Sequence, residues 1–153
     1  MRTVGHCSGG RTVGGESGRT ADVFHPSTGG VQAKVALASK AEMRAAVENA
    51  KAAQPAWAAT NPQKRARVMM RFLELIRGEN DALAELLASE HGKTVPDAKG
   101  DIQRGVEVVE FACGIPHLLK GEYTEGAGPG IDVYSLRQPL GVVAGITPFN
   151  FPA

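Results

Sequence analysis

Cysteine is scarce in this sequence: Cys7 and Cys113 are the only two in 153 residues, and they stand far apart. That excludes a disulfide framework and a C-x-x-C metal spacing, and no metal is expected. No apolar run approaches the length of a membrane span. Met1–Thr20 is polar and glycine-rich, without the apolar centre of a secretory signal. An excess of one charge is lacking too, since 17 Lys and Arg face 16 Asp and Glu for a formal net charge of +1. Such a balance provides no electrostatic pull toward nucleic acid or an anionic membrane. No internal repeat is present. The glycine pairs near the start do not form G-x-G-x-x-G behind a strand, so they are no dinucleotide fingerprint. With 42% apolar and 22% charged residues, the composition is that of an ordinary globular chain, and a reduced, cytoplasmic protein is expected.

What is present is a set of local start and stop signals. Gly9, Gly10, Gly14, Gly15 and Gly18 read as turns between short strands or as frayed chain. Asp22–Val31 has turn chemistry between apolar stretches, which predicts strand, turn, strand. Val31, Ala33, Val35 and Leu37 then alternate with Gln32, Lys34 and Ala36, the period of a half-buried strand. Ser39 and Glu42 form an S-x-x-E capping box, opening a helix with the stripe Met43, Ala46, Val47, Ala50. Asn61 before Pro62 is a second helix start, with Ala66, Met69, Phe72 or Leu73, and Ile76 facing inward. Asn80 is placed to cap a third helix, carrying Leu83, Leu86 and Leu87 and closed by Gly92. A fourth runs from near Pro96 to about Gly114. Gly126–Gly130 reads as a loop before a strand-like stretch, Ile131–Arg137.

Leu140–Ile146 is apolar, partly β-branched and followed by Pro148, the pattern of a buried strand. A buried parallel strand needs neighbours and a covering helix, and nothing after Ala153 supplies them. The expectation is therefore a mixed α/β chain that forms an incomplete domain.

Chemistry-bearing residues are few. In Gly141–Pro152 the strand runs into a turn stiffened by two prolines, Pro148 and Pro152, with Asn150 between them. Ligands of open α/β sheets bind beyond the carboxyl ends of strands. A rigidly held amide there suits an oxyanion that develops in a transition state. Spacing alone favours the plainer role, a cap for a following helix. On the fourth helix Ile102, Val106, Val109 and Cys113 share one face, and Val108, Phe111 and Ile115 the opposite one. Arg104 falls within the second stripe, so its guanidinium must find an anion or reach water. A local Glu or Asp is the first candidate partner. Cys7 has no base nearby in sequence, Cys113 reads as a small core residue, and His91 suits a helix C-terminus.

The run GVVAGITPFNFP resembles the strand and turn at the cofactor cleft of the aldehyde dehydrogenase superfamily. Glu90–Thr94, Gln103–Ala112, Leu136–Gly141 and Gly18–Phe24 look like its CoA-acylating methylmalonate-semialdehyde branch. The resemblance runs from about Gly18 to Ala153, with departures at Cys7, Ser8 and His25. It implies the N-terminal part of a Rossmann-like NAD-binding domain in residues 1–120, an oligomerisation hairpin in 121–138, and the first core strand and turn of the NAD-binding sheet in 139–153. It assigns Asn150 to the oxyanion site, Thr147 and Phe149 to NAD, and Arg104 to the carboxylate of a semialdehyde substrate.

The reaction implied is attack of a cysteine thiolate on the aldehyde, hydride transfer to NAD, decarboxylation, and acyl transfer to coenzyme A as co-substrate. Propionyl-CoA or acetyl-CoA would result, in a homodimer or homotetramer. The catalytic cysteine lies outside these residues, so no turnover is expected of them alone. Two rival readings are a hydrolytic aldehyde dehydrogenase that releases a free acid and a non-catalytic helical interaction module.

Overall fold

A computed structural model describes residues 1–153. The chain opens with β1 (Arg2–Val4), β2 (His6–Ser8), β3 (Arg11–Val13), β4 (Thr20–Phe24) and β5 (Val31–Ala36). The helices α1 (Lys40–Ala59), α2 (Pro62–Gly78), α3 (Asn80–His91), α4 (Val95–Cys113) and the short α5 (Ile115–Leu118) follow. The last elements are β6 (Tyr123–Gly128) and β7 (Ile131–Tyr134). β1, β5 and β4 form one sheet in that order, with β1 parallel and β4 antiparallel to β5. β2–β3 and β6–β7 are separate hairpins.

The glycine-rich start is thus ordered as short strands. Gly9 and Gly10 turn the β2–β3 hairpin at φ 60° and 74°, the left-handed pair that a tight hairpin turn demands. In β5 both Ala33 and Ala36 are buried, so the strand departs from strict alternation at its end.

Helix boundaries follow local chemistry. Ser39 accepts from the Glu42 amide at 3.2 Å, and Glu42 reaches back to the Ser39 amide at 2.7 Å. The other Glu42 oxygen accepts from the Glu16 amide at 2.7 Å. These bonds, with Glu16 the largest contributor, hold the Glu42 carboxyl down at about 2. Because the folded value is depressed, the stabilisation is complete above the ordinary value of 4.5 and is lost as pH falls toward 2. The Glu42 carboxyl is expected to titrate well below 4.5, with amide exchange in the first turn of α1 rising over that window. A side-chain NMR titration with a midpoint at the ordinary value would remove Glu42 from the cap.

Asn61 caps α2 by accepting from the Gln63 amide at 2.9 Å. Asn80, expected as a cap, is instead the first residue of α3, and Glu79 holds the cap position without a side-chain bond. Only Glu79 separates α2 from α3, so no other residue can leave helical geometry there. α4 is capped by Thr94, which accepts from the Asp97 amide at 3.3 Å.

The largest buried cluster lies where α2, α3 and α4 meet: Ala84, Leu87, Ala98, Ile102 and Val106, with Leu73, Ile76 and Ala88 against it. This selects Leu73 over Phe72 on α2, and Ala84 with Leu87 on α3, while Leu83 and Leu86 are exposed. The α1 stripe, Met43 and Val47 included, is exposed, because the β2–β3 hairpin faces α1 only across an open hollow. Only nine of 153 residues are buried, and the accessible surface is 11518 Å². A compact chain of this mass would expose on the order of 7,400 Å². The fold is an open scaffold whose apolar faces are only partly paired.

Two expectations fail in the second half. Leu140–Ile146 forms no strand, and Leu140 and Ile146 are 94% and 100% exposed. A strand exists only through its ladder, and none of the seven strands of this chain lies beside it. Gly126–Gly130 is not all loop either, since β6 continues to Gly128. The register shifts between Thr124 and Gly128, and the Gly126 amide donates to Asp132 at 2.9 Å. The glycines therefore mark an irregularity within a hairpin. Asp132 also accepts from the Tyr123 hydroxyl at 2.8 Å. Its carboxyl is held low by the Gly126 and then the Tyr123 bond, and the Tyr123 hydroxyl is pushed up.

Candidate functional site

The turn bearing Asn150 is built against the α3–α4 junction. α3 ends at Gly92, whose φ of 86° is left-handed. A Cβ there would also lie 2.9 Å from the Pro26 ring, so glycine is required by both conformation and space. The next residue, Lys93, is held between that cap and Thr94, the first cap of α4. The sheet is fastened to the same corner by Gln32, which donates to the Ser89 carbonyl at 3.0 Å, and by the Arg2–Glu90 ion pair.

From this fixed point the Lys93 ammonium reaches two acceptors. One is the carboxylate of Asp101 on α4, itself only 5% exposed. The other is the backbone carbonyl of Asn150, at 2.7 Å. The ammonium also stands 4.7 Å from the centre of the Phe151 ring, within reach of a cation–π interaction. Pro148–Phe151 closes as a turn, with the Phe151 amide 3.4 Å from the Pro148 carbonyl. Asn150 is thus anchored by its backbone, while its side-chain amide is exposed and makes no hydrogen bond in the chain.

Thr147 and Phe149 are exposed, and their backbone groups form no bond within the chain. An open aromatic ring and unpaired backbone groups are what this part of the turn offers to a ligand.

Arg104 is on α4 one turn beyond Asp101. Its guanidinium meets Glu107 through Nη1 at 3.0 Å, and its side chain is 74% exposed. The local ion pair foreseen from the sequence is formed, and Glu107 is the partner. The face with Ile102 and Val106 is buried, with Val109 and Cys113 half-buried, whereas Val108 and Phe111 face outward. Arg104, Lys93, Asp97, Asp101 and Phe151 line one open depression of about 450 Å³. The structure therefore brings the Asn150 turn and Arg104 to the same side of α4.

A larger hollow, about 610 Å³, lies between the β2–β3 hairpin and α1. It is bounded by the Glu42 capping bonds and lined by the exposed Cys7 and by His6, whose Nε2 has no hydrogen-bond partner, with no Asn150 or Arg104 near it. Size alone thus points away from the chemistry. Lys93 and Asp101 escaped sequence reading as a pair because they sit eight residues apart across a helix cap, outside any helical spacing rule. The buried acid on an otherwise apolar face, Asp101 beside Ile102, was the available signal.

No helix of this chain is long and apolar enough to cross a membrane. Residues 13–153 match the aldehyde dehydrogenase family. The chain is 50% identical over its whole length to malonate-semialdehyde dehydrogenase of Pseudomonas aeruginosa, and covers 31% of that protein. It is 50% identical over 95% of its length to the mitochondrial acylating methylmalonate-semialdehyde dehydrogenase of Arabidopsis thaliana, covering 24% of it. A crystal structure from Sinorhizobium meliloti 1021, described as a methylmalonate-semialdehyde dehydrogenase and complexed with NAD, superposes with a TM-score of 0.95 and 64% identity. That match covers 99% of this chain and 31% of the other. The chain spans about a quarter to a third of the length of the relatives it matches.

Proposed function

The chain belongs to the aldehyde dehydrogenase family, and on that premise we propose that it supplies the oxyanion-binding turn and part of the NAD cleft of a semialdehyde dehydrogenase. The observation that carries the reading is the turn at Asn150, with its backbone fixed by Lys93 and its amide left free. An amide donor in a fixed place stabilises charge as it develops, without reorganising during the reaction. NAD bound beside the turn would supply the hydride acceptor for the oxidation. Thr147 and Phe149 would contact it through backbone and ring. Arg104 would hold a substrate carboxylate in its guanidinium fork, which orients the aldehyde toward the turn.

The substrate class is malonate or methylmalonate semialdehyde, in keeping with the names of the relatives. The acyl group would pass to coenzyme A after loss of carbon dioxide; the plant relative is named as acylating. In this reading the nucleophilic cysteine and the coenzyme A site would be supplied by other parts of the complete enzyme. The exposed faces of α1 and of the β6–β7 hairpin, with Ile131, Val133 and Tyr134 open to solvent, are surfaces that the complete enzyme and its oligomer partners would cover. A homodimer or homotetramer built through the hairpin is the proposed assembly. The family match, which extends through the Asn150 turn, speaks against the helical-module reading.

The test is the product formed by the complete enzyme from methylmalonate semialdehyde and NAD, with and without coenzyme A. Propionyl-CoA, identified by mass spectrometry, is the expected result. A free acid formed equally well without coenzyme A would overturn acyl transfer in favour of hydrolysis. NAD reduction by neither route would overturn the dehydrogenase reading.

A further inference from the structure

We propose that Lys93 is a positioning residue for Asn150, and that its ion pair with Asp101 fixes the turn from which the Asn150 amide projects. The proposal rests on the oxyanion reading of Asn150. An ammonium has three donors in a compact head. Here one meets the buried Asp101 carboxylate and another the Asn150 carbonyl at 2.7 Å, while the Phe151 ring lies over the same head at 4.7 Å. The far end of the side chain is immobilised by Asp101, and its backbone by the adjoining caps of α3 and α4. Lys93 thus transmits the rigidity of two helices to a segment that forms no other hydrogen bond to them. Residues 139–153 have no ladder of their own, so few other constraints could replace this one.

A purely structural role would end at neutralising Asp101, whose buried charge demands a partner. The two roles separate in a double-mutant cycle. Lys93→Met with Asp101→Asn removes both charges together and so avoids an unpaired buried carboxylate. In the complete enzyme this pair is expected to slow the first-turnover burst of NADH from malonate semialdehyde on the order of 10-fold, since small misplacements of a catalytic group carry large rate penalties. Lys93→Arg, which keeps a cation at that place, is expected to keep most of the rate. In an Asn150→Ala background the same pair should cause little further loss, because the group being positioned is gone. Multiplicative losses, or a full burst in the charge-free pair, would overturn the positioning role while leaving Asn150 in place. A full burst in Asn150→Ala alone would overturn the oxyanion reading and this proposal with it.

Discussion

Replacing Asn150 by alanine in the complete enzyme is expected to slow acyl-enzyme formation by roughly 100- to 1000-fold, the usual loss for one oxyanion donor. The substitution is unusually clean in this architecture. Lys93 grips the carbonyl of residue 150 and not its side chain, and Pro148 and Pro152 constrain the backbone on either side. Alanine therefore deletes the amide while every bond that shapes the turn survives. The side chain is exposed and makes no hydrogen bond, so its removal leaves no unpaired buried group and stability should change little. Stopped-flow measurement of the NADH burst isolates the step. A burst of ordinary rate would exclude the amide from the transition state, and NAD affinity should be unaffected in either case.

The same turn shows which features sequence could reveal. Caps and turns depend on residues within four positions of one another, and Ser39 with Glu42, Asn61 with Pro62, and Gly92 were all legible for that reason. The strand–turn–strand from Asp22 to Val31 was legible too, because its turn chemistry is local. Leu140–Ile146 carries a strand-like composition, but a strand is made by its neighbours, and composition cannot provide them. Its exposure in this chain is the direct result. Periodicity likewise identified which helix faces are apolar without deciding which are covered. On α4 the Ile102–Val106 face is buried and the Val108–Phe111 face is open, although both looked alike as stripes. Asn80 failed as a cap because the preceding helix runs to Gly78, a fact about α2 and not about Asn80.

For the site, the residues on the turn were legible as a motif, whereas what holds the turn was not. Lys93 and Asp101 meet only because a left-handed glycine swings the chain between α3 and α4. The contact from Lys93 to Asn150 spans 57 positions, and no pattern rule reaches that far. Arg104 lies between these cases. Its place on an apolar stripe was visible, its need for an anion followed, and the structure supplies Glu107 as the resting partner.

That resting partner sharpens what Arg104→Leu should do. An exposed i,i+3 pair contributes about 1 kcal/mol or less, and leucine is at least as good a helix former as arginine. The stability of α4 should hardly move. Glu107 engages only Nη1, which leaves the rest of the guanidinium fork open toward the depression it shares with Lys93 and Phe151. If that fork binds a substrate carboxylate, its removal costs on the order of 1.5–3 kcal/mol of selection, the strength of a charge-assisted bond. In kcat/KM for malonate semialdehyde relative to propanal, this corresponds to a loss of roughly 10- to 150-fold. The comparison with propanal matters, because any general damage to the active site would lower both values together. A preference that survives intact would return Arg104 to its pairing with Glu107 and nothing more. A selective loss with an unchanged melting temperature would identify it as the group that reads the carboxylate.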